Sequence, residues 1–172
     1  MSNVLIITMS GFEKSELFDP KANLEAAGHN VTVASKETGE VKSMDGLDWS
    51  DPVEATVTFE NANPNDYDGL LIPGGIPNPD QMRQEDRAIH IIRTMNDARK
   101  PIAAICHAPW MLAEAGIVDG RTVTSYPSIR TDLKNAGANV VDQEVATDGN
   151  LITSRNPDDI QAFSKALIAA LA

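Results

Sequence analysis

The sequence predicts an α/β fold, a mainly parallel sheet with helices on both faces, and three observations predict it. Val4 to Met9, DGLLIP (Asp68 to Pro73) and Pro101 to Ile105 are short continuous apolar runs without polar alternation, as strands covered on both faces are. Between them lie segments with apolar residues at helical spacing. Strands alternating with helices connect by right-handed crossovers and place ligands beyond the carboxyl ends of the strands.

The elements follow in order. Val4 to Met9 reads as a central strand. In GFEKSELFDPKANLEAAGHN, Phe18, Leu24 and Ala27 suggest a buried helical stripe and Gly28 its stop, while Pro20 must kink the helix or delay its start. VTVASK is a second strand. Glu37 to Phe59 is less regular, with an Asp-Gly turn between β-like pieces, and reads as a small peripheral hairpin. DGLLIP is the next parallel strand and ends in Gly74-Gly75, a pair that lets the backbone approach a neighbour closely. One long helix fits Asp80 to Arg99, with Ala88, Ile91, Ile92 and Met95 on a single face. The strand Pro101 to Ile105 then runs into Cys106, and Pro109 suits the first turn of a helix that closes at Gly116. RTVTSY, a helix in PSIRTDLKNAG, a hairpin turning at Asp148-Gly149, and a last helix striped by Ile160, Phe163, Leu167, Ile168 and Leu171 complete a single domain, residues 1–172.

Composition bounds the function. Fourteen Lys and Arg against 25 Asp and Glu give a net charge of −11, which repels polyanions and argues against nucleic acid or an anionic membrane as partner. A single cysteine forms no internal disulfide, and the start MSNVLIITMS has neither a basic segment nor a long apolar one, so the chain reads as cytoplasmic. His29 and His90 stand in no zinc-site spacing with Cys106; no metal and no cofactor are expected.

Cys106 sits where a strand becomes a helix. The positive end of a helix dipole, nearby backbone N–H groups and the adjacent His107 all favour thiolate over thiol. If the first strand, DGLLIP and the cysteine strand are neighbours, then Glu13, Glu16, Gly74, Gly75, Cys106 and His107 converge on one pocket. Cys106 is the nucleophile, the N–H groups of Gly75 and His107 receive a developing oxyanion, and Glu16 or Glu13 hydrogen-bonds the sulfur. For Glu to donate it must be protonated at neutral pH, which requires burial or a like charge next to it. His107 is not expected to hydrogen-bond the sulfur of its own neighbour and is assigned to proton transfer with substrate or leaving group, oriented by an acid from elsewhere.

AICHAPW, with DGLLIPGG upstream, GFEKSEL after the first strand, and TSYPSIRTDLKNAG and EVATDGNLITSR downstream, resembles the DJ-1/PfpI superfamily, in particular its PfpI-type intracellular protease branch, over essentially the whole chain. The resemblance implies a flavodoxin-like three-layer sandwich with a nucleophile elbow at Cys106. It also implies Glu16 as the glutamate at the sulfur, His107 as second catalytic residue, and Tyr126 near the pocket. It further implies a homodimer or hexamer in which an acid of the adjacent subunit orients the histidine, and Asp80 stands at that acid's place. Glutamine amidotransferases share a cysteine elbow but carry a His-x-Glu near the C-terminus, and this chain has no histidine after His107. Reactive aldehydes or their adducts on proteins and peptides suit the site as substrates, as in a glyoxalase or deglycase of stress protection, because a thiolate adds to a carbonyl and flanking groups then move protons. An intracellular cysteine peptidase and a redox-sensing stress chaperone are the other readings.

Overall fold

The computed structural model describes residues 1–172. Its elements, in chain order, are β1 (Asn3–Ile7), β2 (Phe12–Glu13), α1 (Lys14–Ala26), β3 (Asn30–Ser35), β4 (Gly39–Asp45), β5 (Asp48–Ala55), β6 (Val57–Thr58), β7 (Gly69–Ile72), α2 (Pro77–Met82), α3 (Asp86–Asp97), β8 (Ile102–Ile105), α4 (Pro109–Glu114), β9 (Thr122–Val123), α5 (Arg130–Asn135), β10 (Asn139–Val140), β11 (Val145–Asp148), β12 (Leu151–Ser154) and α6 (Ile160–Ala170). Seven strands form the central sheet in the order β11-β12-β8-β7-β1-β3-β6. All its pairs are parallel except the β11–β12 hairpin. This is the mostly parallel, flavodoxin-like α/β sandwich that the sequence predicts.

Alternation along the buried strands divides the core between two layers. Leu5, Ile7, Leu70, Ile72, Ile102 and Ala104 face α3 and α4, meeting Ala88, Ile91, Ile92 and Met95 of α3. Val4, Ile6, Leu71, Ala103, Ile105 and Ile152 face the other layer, where Leu17 and Leu24 of α1 join Ile160, Phe163 and Leu167 of α6. Each of these fully buried large aliphatic or aromatic side chains contributes about 1.5–3 kcal/mol, so the continuous apolar strand runs are what fix the layering.

Four local expectations change. α1 starts at Lys14, so Pro20 does not delay it, and its buried face is Glu16, Leu17, Pro20 and Leu24; Phe18 is half-buried and Ala27 exposed. A proline in the seventh position removes one N–H from the ladder, and packing of the same face holds the helix together. The single helix from Asp80 is two, α2 and α3, because Gln84 and Glu85 close back on Gln81 and Met82 and Glu85 then turns extended before α3. RTVTSY gives only the two residues of β9, which pair with β10 outside the central sheet. The β4–β5 hairpin turns at Asp45-Gly46 as read, but it is not peripheral: β4 pairs with β2 beside the first loop and brings its tip over the strand ends.

Candidate active site

β1, β7 and β8 are neighbours, so the loops leaving their carboxyl ends meet at one point, between β1 and β7, where the sheet reverses its order of addition. A pocket of about 400 Å³ opens there, lined by residues of these loops together with Met44, Gly46 and Leu47 of the hairpin, Tyr126 and Pro157. Of the eight residues singled out from sequence, Glu13, Glu16, Gly75, Cys106, His107 and Tyr126 line it. Gly74 lies directly behind, between Glu16 and Cys106. Asp80, expected to act from an adjacent subunit, is exposed on α2 and lies outside the lining of its own chain's pocket.

Cys106 takes a left-handed backbone conformation, φ +64°, which costs a residue with a Cβ about 1–2 kcal/mol. The strained turn is held from several sides. The Cys106 N–H donates to the Ser154 carbonyl at 3.1 Å, the Cys106 carbonyl accepts from the Tyr126 N–H at 2.8 Å, and Ala108 N–H returns to Ile105 at 3.0 Å. The result is an elbow that lifts the thiol off the end of β8 into the pocket floor, 6% exposed.

That backbone also corrects one expectation. At an ordinary strand-to-helix corner adjacent side chains diverge, but the left-handed turn brings Cys106 Sγ and His107 Nδ1 to 3.1 Å. The imidazole is buried; Tyr126 stacks on it at 4.6 Å between centroids and Trp110 meets it edge-on at 5.4 Å. Burial pushes the His107 pKa down, favouring a neutral ring. Its Nε2 lies 3.1 Å from the hydroxyl of Ser128, a residue that no sequence motif singles out.

Glu16 is the most constrained group of the site. It is fully buried, accepts from the Gly74 N–H at 2.8 Å through Oε2, and leaves Oε1 without a hydrogen-bond partner. Loss of water pushes its pKa up to about 8, against the opposing hydrogen bond from Gly74. A carboxyl with that pKa is mostly protonated at neutral pH. Glu13, nearer the mouth, is raised by partial burial and then by Asp45.

The thiol departs from the sequence expectation. Burial and then the charge of an ionised Glu16 push the Cys106 pKa up, while the N–H groups of Gly75 and His107 push it down. A six-residue helix beginning three residues later supplies too small a dipole to offset burial. Thiolate character here depends on Glu16 keeping its proton and on the two N–H groups.

Gly74 and Gly75 do different work. A Cβ on Gly74 would stand 2.7 Å from the Cys106 Cβ and 2.6 Å from Glu16 Oε2, so only glycine lets the three meet. Gly75, at φ +75°, packs against the backbone of Gly11 and Glu13. Asn78, fully buried, ties the loop down: its amide donates to the Pro73 and Gly74 carbonyls at 2.9 and 3.1 Å, and its Oδ1 accepts from the Met9 N–H at 2.7 Å. Within IPNPD this asparagine looks like turn chemistry, so sequence gives it no special weight.

No three His, Cys, Asp or Glu side chains come together as a metal-ligating group. His29 accepts from the Ser2 N–H at 3.2 Å and His90 sits beside Thr94, both away from the pocket. No helix is long and apolar enough to cross a membrane.

The sequence matches the DJ-1/PfpI family over residues 2–170. It is 41% identical over 169 residues to general stress protein 18 of Bacillus subtilis, covering 98% of this chain and 96% of that protein. To deglycase PH1704 of Pyrococcus horikoshii it is 40% identical over 168 residues, covering 98% of both. The crystal structure of Drosophila melanogaster DJ-1beta superposes with a TM-score of 0.88 at 32% identity, covering 100% of this chain and 91% of that one.

Proposed function

The chain belongs to the DJ-1/PfpI family, and from that premise we propose that it is a cysteine-dependent enzyme of the hydrolase type that detoxifies reactive aldehydes or their adducts. The observation that carries the reading is the placement of Cys106 Sγ in a small pocket, 3.1 Å from His107 Nδ1 and beside the fully buried carboxyl of Glu16. The name deglycase carried by a 40% identical relative supports the adduct chemistry, and the name of general stress protein 18 supports a protective role.

For a 2-oxoaldehyde such as methylglyoxal, the sulfur forms a bond to the aldehyde carbon and the carbonyl electrons move to oxygen. The N–H groups of Gly75 and His107 receive that oxygen; His107 takes the thiol proton and passes it to the oxygen, which leaves a hemithioacetal and a neutral ring. His107 then moves the proton on the aldehyde carbon to the neighbouring ketone carbon by way of an enediol. The resulting thioester is hydrolysed by water to a 2-hydroxy acid, and the thiol is returned. No external oxidant or reductant enters the balance. In an amine or guanidine hemiaminal the sulfur replaces nitrogen at the same carbon, the nitrogen leaves with the thiol proton delivered by His107, and the hemithioacetal formed follows the same course.

The same reading makes the protein a cytoplasmic homodimer or hexamer. Its test is a panel of methylglyoxal, methylglyoxal-modified peptide and unmodified peptide, run on wild type and Cys106→Ser. Loss of aldehyde or adduct clearance in the variant is expected; undiminished clearance excludes the cysteine mechanism, and cleavage of unmodified peptide alone favours a peptidase.

A further inference from the structure

Two peptide planes in the loop after β7 decide where the pocket's N–H groups point. In a trans peptide the carbonyl of one residue and the N–H of the next face opposite ways. The Gly74 N–H donates to Glu16 Oε2 at 2.8 Å, so the Pro73 carbonyl must face away from Glu16. The Gly75 N–H acts on the Cys106 sulfur, so the Gly74 carbonyl must face away from the thiol. Both carbonyls end on one group, the side-chain amide of Asn78, at 2.9 and 3.1 Å. We propose that Asn78 is the positioning residue of the oxyanion loop: by gripping these two carbonyls it aims the Gly74 N–H at Glu16 and the Gly75 N–H at the reacting centre. The inference rests on the Cys106 chemistry proposed above.

The grip has no substitute in the chain, since no backbone N–H reaches either carbonyl. Pro73, Gly74 and Asn78 are all buried, so an adjoining subunit does not touch these contacts. A third partner fixes the direction of the amide. Asn78 Oδ1 accepts from the Met9 N–H at 2.7 Å. Reversed, the amide would set its oxygen against two carbonyl oxygens and its NH2 against an N–H, so only one orientation satisfies all three groups.

The local structure holds the asparagine in turn. It is the second residue of α2, between Pro77 and Pro79, whose rings fix φ and which have no N–H to leave unpaired at a helix start. Met82, fully buried, anchors the other end of α2. Met9 belongs to the loop after β1, and the Gly11 carbonyl of that loop closes on the far side of Gly75. Asn78 therefore ties together the two loops that flank the point where the sheet reverses, and Gly75 is held from both sides.

The experiment uses the full-length protein with Asn78→Asp and Asn78→Leu. Both keep the approximate shape and remove the amide donors, and they differ in charge, so changes common to both trace to the donors. Three readouts are taken: the rate of Cys106 alkylation by iodoacetamide at fixed pH, kcat and KM for methylglyoxal, and the 1H–15N signals of Gly74 and Gly75. Both variants are expected to lose about ten- to a hundredfold in kcat, short of the loss typical when an oxyanion donor is removed outright, with KM unchanged. Alkylation should slow, because a misaimed Gly75 N–H no longer favours the thiolate, and both glycine signals should move. Unmoved glycine signals, or effects confined to Asn78→Asp and so due to its charge, overturn the proposal. Should neither variant fold, the wild type still decides: the Asn78 side-chain NH2 protons should exchange with solvent at least about tenfold more slowly than those of exposed Asn65, and equal rates refute the grip. If the glycine signals and alkylation change as described while wild type clears no aldehyde, the substrate reading fails and the role of Asn78 stands.

Discussion

Glu16 and Cys106 occupy one buried space in which a charge on either disfavours a charge on the other. The carboxyl reaches the Gly74 amide through Oε2 and leaves a buried Oε1 without a partner, and an ionised Glu16 holds the Cys106 proton in place. Only while Glu16 is protonated does it cease to oppose a thiolate. The desolvation of one acid thus bears on the ionisation of its neighbour.

Stability should carry the signature of that acid. Its pKa rises from an ordinary 4.5 to about 8 on folding, so between those values the folded chain holds a proton that the unfolded chain has lost. The stabilisation is complete below about pH 4.5 and is lost as pH rises through about 8, at of the order of 1 kcal/mol per pH unit. Glu16→Gln, neutral at every pH, should flatten this slope and be the more stable protein at pH 8.5. Urea midpoints at intervals from pH 5 to 8.5 check it; parallel slopes in the two proteins refute it.

Gly75 and Gly46 both have positive φ, +75° and +64°, yet their surroundings differ. A Cβ at Gly75 would run into the Gly11 carbonyl oxygen and lie 2.7 Å from the Glu13 nitrogen, backbone atoms that cannot swing aside; at Gly46 nothing lies within 4 Å. Gly46→Ala should therefore cost only the conformational penalty, about 1–2 kcal/mol. Gly75→Ala should add an overpacking cost of about 1–3 kcal/mol and lower turnover by displacing an oxyanion donor. Denaturant midpoints of the two variants, measured together, decide whether the pocket wall is as tight as described; equal losses count against it.

The fold was legible where a pattern is local. Buried parallel strands announce themselves as unbroken apolar runs, the double glycine follows one of them, and a thiol before His-Ala-Pro marks the elbow. What escaped depends on pairing across the chain. The two residues of β2 are too few to read as a strand, so nothing in the sequence showed that Phe12 would draw Ser43 and the hairpin tip to the pocket. Ser128 escaped because it meets His107 across 21 positions in sequence. The Cys106–His107 contact escaped because it depends on one backbone angle, and the break after Met82 because α2 and α3 share a continuous helical pattern.

Leu47 stands at that hairpin tip, 91% exposed while lining the pocket mouth. Such a residue contributes little to folding, and Leu47→Ser should change stability by no more than about 0.5 kcal/mol. It can still give apolar contact to a substrate large enough to reach the rim. An aryl glyoxal should show a raised KM with kcat unchanged, the pattern of lost uniform binding, whereas glyoxal itself should be unaffected. Steady-state kinetics on the two aldehydes are sufficient; equal effects on both place Leu47 in a structural role.

The elbow stores strain, and truncation of Cys106 should expose it. Cys106→Ala and Cys106→Gly both remove the sulfur and should both abolish turnover. They differ in the Cβ that a left-handed φ of +64° disfavours. In a helix or strand the alanine variant is the more stable, because glycine loses more chain entropy on folding. Here the order should invert, with the glycine variant more stable by about 1 kcal/mol, the difference between the left-handed penalty and that entropy. Thermal or urea unfolding of the pair measures it directly. An alanine variant more stable than glycine would mean that the turn at Cys106 is relaxed, and the close approach of its sulfur to His107 would need another cause.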